Sequence, residues 1–304
     1  MSLRTRNDMK KTVVFTILIV LAGLLFPACS NTNSIEPDTQ LPGEPFSFAF
    51  MTDIHLNFGE NGSFEGFKQA VAKAEQLGAD IILTGGDNVD ADYVGDDEAT
   101  ARKMYERFKE IIDNSGPDIK VTIGNHDRFW HMDGSREIHG AGLFMEYFGD
   151  TYFDYDYGGV HFIHLNTSEV CEGQYCVSPA QEEWLRNVLN GLDESKPIVL
   201  VVHVPFLSFY YPVVDGYYTD TDIFTNFREI WSMFDNHNLE LVLQGHMHLY
   251  EDLYVYDTQF LTGGAVSAGW WNGPFYRTPE GFVLVEWDGS EFSWEYIDYG
   301  WEAW

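Results

Sequence analysis

Basic residues are scarce in this sequence. Lys and Arg together number 17 among 304 residues, against 48 Asp and Glu, so the formal net charge is −31. A surface this negative repels phosphate backbones and anionic lipid headgroups. We therefore expect neither a coating of nucleic acid nor electrostatic docking on a membrane surface.

Cysteine is also scarce, with three residues in the chain. Cys171 and Cys176 flank four residues in a polar stretch, a spacing that permits a local disulfide outside the cytoplasm. Free thiols are the alternative. A structural zinc site is disfavoured because the chain has no second cysteine pair to complete it.

The N-terminal apolar run is too short to cross a bilayer comfortably as a helix, which takes about 20 residues. It covers residues 13–26, follows four basic residues and ends before Ala28 and Cys29. This order predicts a signal peptide over residues 1–28, and its end resembles the processing site of bacterial lipoproteins. We expect a lipid anchor at Cys29 that holds the protein outside the cytoplasm, in the periplasm or on the cell surface. Plain secretion and an uncleaved membrane anchor are the alternatives.

Residues 29–45 are mostly polar and include three prolines. Such a composition favours a flexible tether over a packed element. The remaining residues, 46–304, show no internal repeat and are predicted to form a single domain. Their number is sufficient to bury a substantial core.

After residue 45, short apolar runs alternate with segments of helical spacing. Buried apolar strands linked by helices favour parallel pairing, whereas the alternating tail from Leu253 onward favours antiparallel hairpins. We predict an α/β fold, a layered sandwich of one domain with mixed sheets. The predicted strands cover residues 46–52, 80–84, 120–123, 152–157, 160–165, 198–202 and 240–243, and the predicted helices cover 64–77, 98–114, 179–192 and 222–237.

Side chains of the kind that bind metals follow five of these strands. In an open α/β sheet, ligands bind in the crevice at the carboxyl ends of the strands, so residues distant in sequence can converge there. A spacing of two sends both side chains of a pair to one side of an extended chain. The candidates, in chain order, are Asp53 and His55, Asp87, Asn125 with His126 and Asp127, His203, and His246 with His248.

The donor atoms of this set are carboxylate and amide oxygens and imidazole nitrogens, without thiolates. Such donors suit Mn²⁺, Fe, Zn²⁺ or Co²⁺. The set is large enough for two metal ions. Which metal is bound depends on supply as well as on ligands, so its identity stays open.

The five blocks, spread over residues 53–248, resemble in order and approximate spacing those of the calcineurin-like metallophosphoesterase family. The resemblance implies a four-layer αββα sandwich with two mixed β-sheets, and a site with two divalent metal ions. It assigns Asp53, His55 and His248 to the first metal, Asn125, His203 and His246 to the second, Asp87 to both, and His126, oriented by Asp127, to the leaving-group oxygen.

The implied activity is that of a dinuclear metallophosphoesterase, in which hydroxide held between the two metals attacks phosphorus while His126 assists the leaving group. We expect a small phosphoester substrate, more specifically a diester, because no cluster of Arg or Lys accompanies these blocks apart from Arg128. A dianionic monoester would benefit from more positive charge. A phosphomonoesterase with the same site and a non-catalytic, metal-stabilised binding lipoprotein are the alternatives. No protein partner can be inferred.

One departure separates the sequence from purple acid phosphatases, which resemble this set. Those enzymes place a metal-bound Tyr three residues after the bridging Asp, and that position is Asp90 here. They also lack the His that stands here as His55. An iron–tyrosinate site is therefore not expected.

Two tryptophans, Trp270 and Trp271, lie in a glycine-rich loop shortly after the last ligand block. They are candidate substrate-binding residues, because an indole ring at the crevice can stack on a base or a sugar ring. The alternative is that both side chains pack on the sheet of the tail.

Overall fold

The structure is a computed structural model and describes residues 43–130, 140–214, 216 and 223–303. The predicted signal peptide, Cys29 and nearly all of the predicted tether lie outside these ranges, so those expectations stay predictions. Within the described ranges, no helix combines the length and the apolar character that crossing a membrane requires. The described residues belong to one compact unit, Pro42–Trp304.

Strands and helices alternate along the first two thirds of the described chain, and strands dominate its end. The strands are β1 (Phe46–Met51), β2 (Ile81–Thr84), β3 (Asp118–Lys120), β4 (Phe153–Tyr157), β5 (Val160–His164), β6 (Glu169–Cys171), β7 (Gln174–Cys176), β8 (Ile198–Val202), β9 (Leu239–Gln244), β10 (Glu251–Val255), β11 (Thr258–Thr262), β12 (Gly281–Trp287) and β13 (Phe292–Asp298). The helices are α1 (Ser63–Leu77), α2 (Glu98–Asp113), α3 (Gly142–Phe148), α4 (Pro179–Asn190), α5 (Tyr210–Val214) and α6 (Phe227–Ser232), with a 3₁₀ turn at Ala91–Val94.

Two large sheets organise these strands. The first has the order β13-β12-β1-β2-β3, and the second has the order β10-β11-β9-β8-β5-β4. β1, β2 and β3 pair in parallel, as do β5, β8, β9 and β11, and the remaining strands join as antiparallel neighbours. Both sheets are therefore mixed, as predicted. β6 and β7 form a separate hairpin.

The two sheets face each other across an apolar core. Side chains alternate along β1, so that Phe48 and Phe50 contribute to the core between the sheets while Ala49 and Met51 face the helices. Phe48 meets Phe162 of β5 edge-on, with ring centroids 5.6 Å apart. The near-continuous apolar runs of the central strands follow from burial on both faces.

Helices cover the outer face of each sheet. α1, α2 and α3 pack on the first sheet through a cluster that includes Phe67, Tyr105 and Phe144. α4 and α6 pack on the second sheet through a cluster that includes Leu185 and Ile230. The layer order of helix, sheet, sheet, helix confirms the expected αββα sandwich with two mixed sheets.

The third strand begins and ends earlier than predicted. β3 covers Asp118–Lys120 and pairs with β2, whereas the sequence predicted residues 120–123. Beyond Lys120 the backbone N–H of Thr122 donates to the side-chain Oγ1 of Thr84 at 3.0 Å. The backbone ladder therefore stops at Lys120, with four residues left before the polar block that begins at Asn125, although the apolar run continues.

Helix α6 is much shorter than the predicted helix over residues 222–237, of which residue 222 lies outside the described ranges. Immediately before α6, the side chain of Asn226 accepts a hydrogen bond from the N–H of Val177 at 2.9 Å and donates to its carbonyl at 2.8 Å. These two bonds hold Asn226 outside helical geometry, with φ −99° and ψ 29°. A tertiary contact thus sets where the helix begins.

The two cysteines inside the folded part are joined. Cys171 and Cys176 form a disulfide with their Cα atoms 5.8 Å apart. The bond closes the hairpin of β6 and β7. Of the alternatives that the sequence left open, the structure therefore has the local disulfide.

Candidate metal centre and active site

The carboxyl ends of parallel strands from both sheets meet at one edge of the sandwich. Gly245, at the end of β9, is needed for this close approach, because a Cβ at that position would overlap the Oγ1 of Thr52 after β1. The same hydroxyl donates to the carbonyl of Gly85 after β2 at 3.1 Å. The polar side chains that follow these strands are therefore brought to one place.

Two groups of side chains converge there. Within each group, one potential ligand atom from every member lies within 4.8 Å of the others. The first group is Asp53, His55 and His248, and the second is Asp87, His203 and His246. Asn125 joins the second group, since its Oδ1 lies 2.9 Å from the Nε2 of His203. All seven predicted ligands thus lie together, grouped in the way that the family resemblance implies.

Asp87 lies between the two groups. Its Oδ2 is 3.2 Å from the Nε2 of His203 in one group and 3.8 Å from the Nε2 of His55 in the other. Its Oδ1 accepts the backbone N–H of His126 at 2.8 Å, which fixes the direction of the carboxylate. Asp87 therefore lies where it could contribute to both groups, the role that the family resemblance implies for it.

Three histidines of the site are oriented by acceptors on their far side. The Nδ1 of His55 faces Asp90 at 2.7 Å, that of His203 faces the carbonyl of Gly85 at 2.8 Å, and that of His248 faces the carbonyl of Ala268 at 2.5 Å. Carboxylate and carbonyl oxygens only accept, so each Nδ1 carries the proton. Each Nε2 lone pair is then directed into the site, the usual arrangement of metal-binding histidines.

A buried carboxylate oxygen shows that a cation fits this site. Asp53 Oδ2 accepts hydrogen bonds from the Thr52 hydroxyl at 2.6 Å and from the His246 N–H at 3.0 Å. Asp53 Oδ1 has no hydrogen-bond partner among the described residues and lies 3.4 Å from the Nε2 of His248. An unpaired buried charge is costly, and a metal ion bound by this oxygen and the neighbouring imidazoles would remove that cost.

The backbone of the site is strained at most of the ligands. Non-glycine residues rarely adopt positive φ, and each such residue costs of the order of 1–3 kcal/mol. Strain of this kind concentrates where function requires it. Five of the seven ligands have it: Asp53 (53°), His55 (51°), Asp87 (53°), His246 (72°) and His248 (55°).

The charges within the site act strongly on one another. Burial raises the pKa of Asp87, but the adjacent His203 and His126 outweigh it and hold the pKa well below its usual range. Burial lowers the pKa of His126, but Asp87 and Asp92 outweigh it and raise the pKa to about 10. The charges within the site therefore favour an ionised Asp87 beside a protonated His126.

His126 is oriented by Asp92, and not by Asp127 as the sequence suggested. Its Nδ1 lies 2.9 Å from both carboxylate oxygens of Asp92, and its Nε2 faces the Oδ2 of Asp87 at 4.0 Å. Asp92 lies in the 3₁₀ turn that follows β2. The only sequence signal for it is the acidic run that includes Asp87, Asp90 and Asp92.

Asp127 instead holds the loops of the site together. Its fully buried carboxylate accepts the backbone N–H groups of Asn88 at 2.9 Å, Val89 at 3.0 Å and Gly124 at 2.8 Å. The side chain of Asn88 donates to it as well, at 2.9 Å. Because these donors surround the carboxylate, Asp127 points away from His126, which corrects its predicted role.

Trp270 lies at the site, as predicted. Its indole stacks on His248, with ring centroids 4.1 Å apart and planes 29° apart. It also lies 5.8 Å from the ring of His55 and keeps 39% of its surface exposed. Its position matches that of a residue lining the crevice.

Trp271 does not line the crevice, so its predicted role in substrate binding is wrong. Its side chain is 2% exposed, and its Nε1 donates to the carbonyls of Ile54 at 3.0 Å and His55 at 3.2 Å. The ring packs against Gly66 of α1, where a Cβ would overlap it. Trp271 therefore supports the backbone that carries His55.

Comparison with known proteins agrees with this geometry. The profile of the family described as calcineurin-like phosphoesterase matches residues 46–250. Serine/threonine-protein phosphatase CPPED1 of Mus musculus is 25% identical over 147 residues, which cover 47% of this chain and 45% of that protein. The chain therefore matches somewhat less than half the length of this curated relative.

Solved structures share the fold at low sequence identity. A dimetal phosphatase from Danio rerio aligns with a TM-score of 0.58 and 14% identity, covering 83% of this chain and 98% of that one. Purple acid phosphatase PPD1 from yellow lupin (Lupinus luteus) seeds aligns with a TM-score of 0.59 and 15% identity, covering 84% of this chain and 52% of that one. At these identities the likeness shows the fold alone.

Proposed function

Because the chain belongs to the calcineurin-like phosphoesterase family, we propose that it hydrolyses a phosphoester, more specifically a phosphodiester, at the two converging groups of ligands. The position of Asp87 carries the proposal. Its Oδ2 lies within 4 Å of a ligand nitrogen from each group. One carboxylate shared by two metal sites is what a two-metal hydrolase requires.

Each group would hold one metal ion. Two divalent ions bound there supply Lewis acidity and an activated water for hydrolysis at neutral pH. Mn, Fe and Zn all suit the donors. Asp53, His55 and His248 hold the first ion, Asn125, His203 and His246 the second, and Asp87 both.

His126 serves the leaving group in this proposal. Asp92 holds its Nδ1, and its Nε2 faces the site beside Asp87. From there the Nε2–H donates to the oxygen of the departing alcohol, which avoids the release of a free alkoxide. Such assistance is worth roughly 10²–10⁴-fold in rate.

The state of Arg128 supports a diester over a monoester. This residue directly follows the block of Asn125 to Asp127, but its side chain is 1% exposed and donates to Asn166 at 3.2 Å and to Ser168 at 3.3 Å. The guanidinium group of Arg128 is thus engaged in contacts inside the protein. A diester carries one negative charge and needs less compensation than a dianionic monoester, which is the second candidate substrate.

The disulfide supports the proposed location outside the cytoplasm. Bonds such as Cys171–Cys176 persist in oxidising compartments and are rare in the cytosol. We propose that residues 1–28 direct export and that Cys29 carries a lipid anchor. Secretion without an anchor remains the alternative.

The test is hydrolysis by the mature, metal-loaded protein. We expect turnover of bis-p-nitrophenyl phosphate with added Mn²⁺ that exceeds turnover of p-nitrophenyl phosphate. Asp87→Asn should lose metal and activity together. His126→Gln should lower kcat by about 10²-fold or more, with metal content, measured by atomic emission, unchanged.

A matched control for His126 is His161, which also pairs with a carboxylate, Asp156, at 2.6 Å, but lies near the start of β5. His161→Gln should leave kcat unchanged. Preference for the monoester would contradict the diesterase assignment alone. Absence of turnover of both esters by metal-loaded protein would favour a non-catalytic binding protein.

A further inference from the structure

Two exposed aromatic rings border the candidate site. Tyr93 stacks on His126, with ring centroids 4.9 Å apart and planes 19° apart, and is 66% exposed. Trp270 stacks in the same way on His248 and is 39% exposed. Each ring covers a histidine of the site with one face and leaves part of its surface open to solvent.

These rings belong to a continuous row. From Tyr93 the row passes to His126, to His55 at 5.1 Å and to Trp270 at 5.8 Å. Beyond Trp270 it continues to Phe275, whose ring lies 5.7 Å away at 88°. His126, the residue that faces the leaving group, thus lies between the two exposed rings in this row.

The indole of Trp270 is fixed in its place. The buried Trp271 anchors the loop to the backbone of Ile54 and His55. Phe275 closes one edge of the Trp270 ring, and φ is positive at both tryptophans, 51° and 67°. An exposed aromatic ring held by a strained, anchored loop is preorganised to receive a ligand, because binding costs little further conformational entropy.

The charges beside these rings favour an uncharged ligand group. The carboxylate of Asp92 is hydrogen-bonded to the Nδ1 of His126, and the carboxylate of Asp90 is hydrogen-bonded to the Nδ1 of His55. Both carboxylates repel an anionic leaving group, whereas a neutral ring meets two aromatic faces. Stacking on such faces is tolerant of the identity of the ring.

We propose that Trp270 and Tyr93 form a subsite for a neutral planar ring, a nucleobase or aryl group, carried by the leaving alcohol, with Trp270 as the main stacking face. Stacking there places the ester oxygen beside His126. The inference rests on the proposed phosphoesterase function and adds a substrate class to it.

The experiment compares two stable analogues that differ only in a ring. Benzyl(methyl)phosphinate and ethyl(methyl)phosphinate carry the same single negative charge and contain no ester bond to hydrolyse, and calorimetry measures their binding to the Mn²⁺-loaded protein. We expect the benzyl compound to bind at least tenfold more tightly, which corresponds to about 1.4 kcal/mol. Trp270→Ala should reduce this ratio below threefold, and Trp270→Phe should retain part of it.

The control is Tyr254→Ala, which removes another exposed aromatic ring, at the opposite edge of the second sheet, where β10 pairs with the start of β11. It should leave the ratio unchanged. Equal binding of both analogues by a protein that hydrolyses bis-p-nitrophenyl phosphate would overturn the ring subsite and leave the function standing. A protein that neither hydrolyses the ester nor binds either analogue would overturn both proposals.

Discussion

At the scale of single residues, the histidine atoms that face the site differ from the atoms that hold each imidazole in its orientation. The histidines of the site direct Nε2 inwards, because Asp90, Asp92 and two backbone carbonyls take the Nδ1 protons. The ligands themselves could be predicted from sequence because they follow apolar strands. The orienting groups could not, because they come from turns with no periodic pattern.

Asp92 provides the residue-scale prediction. Asp92→Asn should lower kcat by about 10- to 100-fold, the usual effect of losing an outer partner of a functional histidine. Removing its charge also lowers the pKa of His126, because Asp92 is one of the groups that raise it. The basic limb of the pH–rate profile, where the protonated form is lost, should therefore move to lower pH.

The matched control for this substitution is Asp154→Asn, since Asp154 lies 3.3 Å from the Nε2 of His161, outside the site. It should change neither kcat nor the profile. Asp127→Asn should act differently, lowering the free energy of unfolding, because an amide NH₂ group would replace an oxygen that accepts from the backbone N–H of Gly124 and from the side chain of Asn88. A profile that does not move in Asp92→Asn would contradict the orienting role of Asp92.

At the scale of elements, the contact of the Trp271 loop with α1 links a helix to the site. The loop lies between β11 and β12, and its buried indole occupies the space that Gly66 leaves on α1. The same indole holds the carbonyls of Ile54 and His55. A change in the helix is therefore transmitted to a ligand without touching it.

Gly66→Ala tests this link. Alanine favours helices over glycine by about 0.5–1 kcal/mol, but overlap with Trp271 should outweigh that gain, with a net cost of about 1–3 kcal/mol in the free energy of unfolding. Mn²⁺ affinity should fall as well, because His55 loses support. Chemical denaturation and metal titration provide the two measurements.

Gln76→Ala on the exposed face of α1 is the control and should change neither quantity. In a Trp271→Leu background the cost of Gly66→Ala should largely disappear, since the smaller side chain leaves room for the methyl group. A cost that stays the same in that background would show that the overlap is not its cause.

The strands and helices differ in how far sequence determined them. β8 has the predicted bounds, 198–202, because its apolar run is buried on both sides. α6 is far shorter than predicted because the side chain of Asn226 hydrogen-bonds to the backbone of Val177, a residue 49 positions away. Trp270 and Trp271 are neighbours with the same side chain, yet one lines the site and the other is buried. Such differences depend on tertiary contacts that no local pattern contains.

At the scale of the whole molecule, the sandwich brings ligands from both sheets to one edge, within a chain of net charge −31. An anionic substrate must approach a strongly anionic protein, so bound metal ions would be the main positive charge that attracts it. Small phosphoesters suit this balance better than long polyanions.

Metal removal provides the prediction at this scale. Binding to the folded state at 100 times Kd stabilises it by about 2.7 kcal/mol per site, so a chelator should lower Tm by about 5–10 °C for each metal ion removed from a domain of this size. In the metal-free protein no metal binding offsets the strain at the five ligands with positive φ. Differential scanning fluorimetry with and without Mn²⁺ measures the shift.

The His161→Gln protein should show the full shift and the Asp87→Asn protein a smaller one, because the carboxylate of Asp87 lies within 4 Å of a ligand nitrogen from each group. An identical Tm with metal and with chelator would contradict metal binding at this site.

The pairing of β1 with β12 has a consequence for the order of events in folding. β1 precedes the first ligand, but its partner β12 is formed by residues 281–287, after the last ligand at His248. The site is therefore complete only when nearly the whole chain has been made and both sheets have closed. Metal binding to the finished site would then come last, and the ions present where folding finishes would take part in deciding which metal the protein carries.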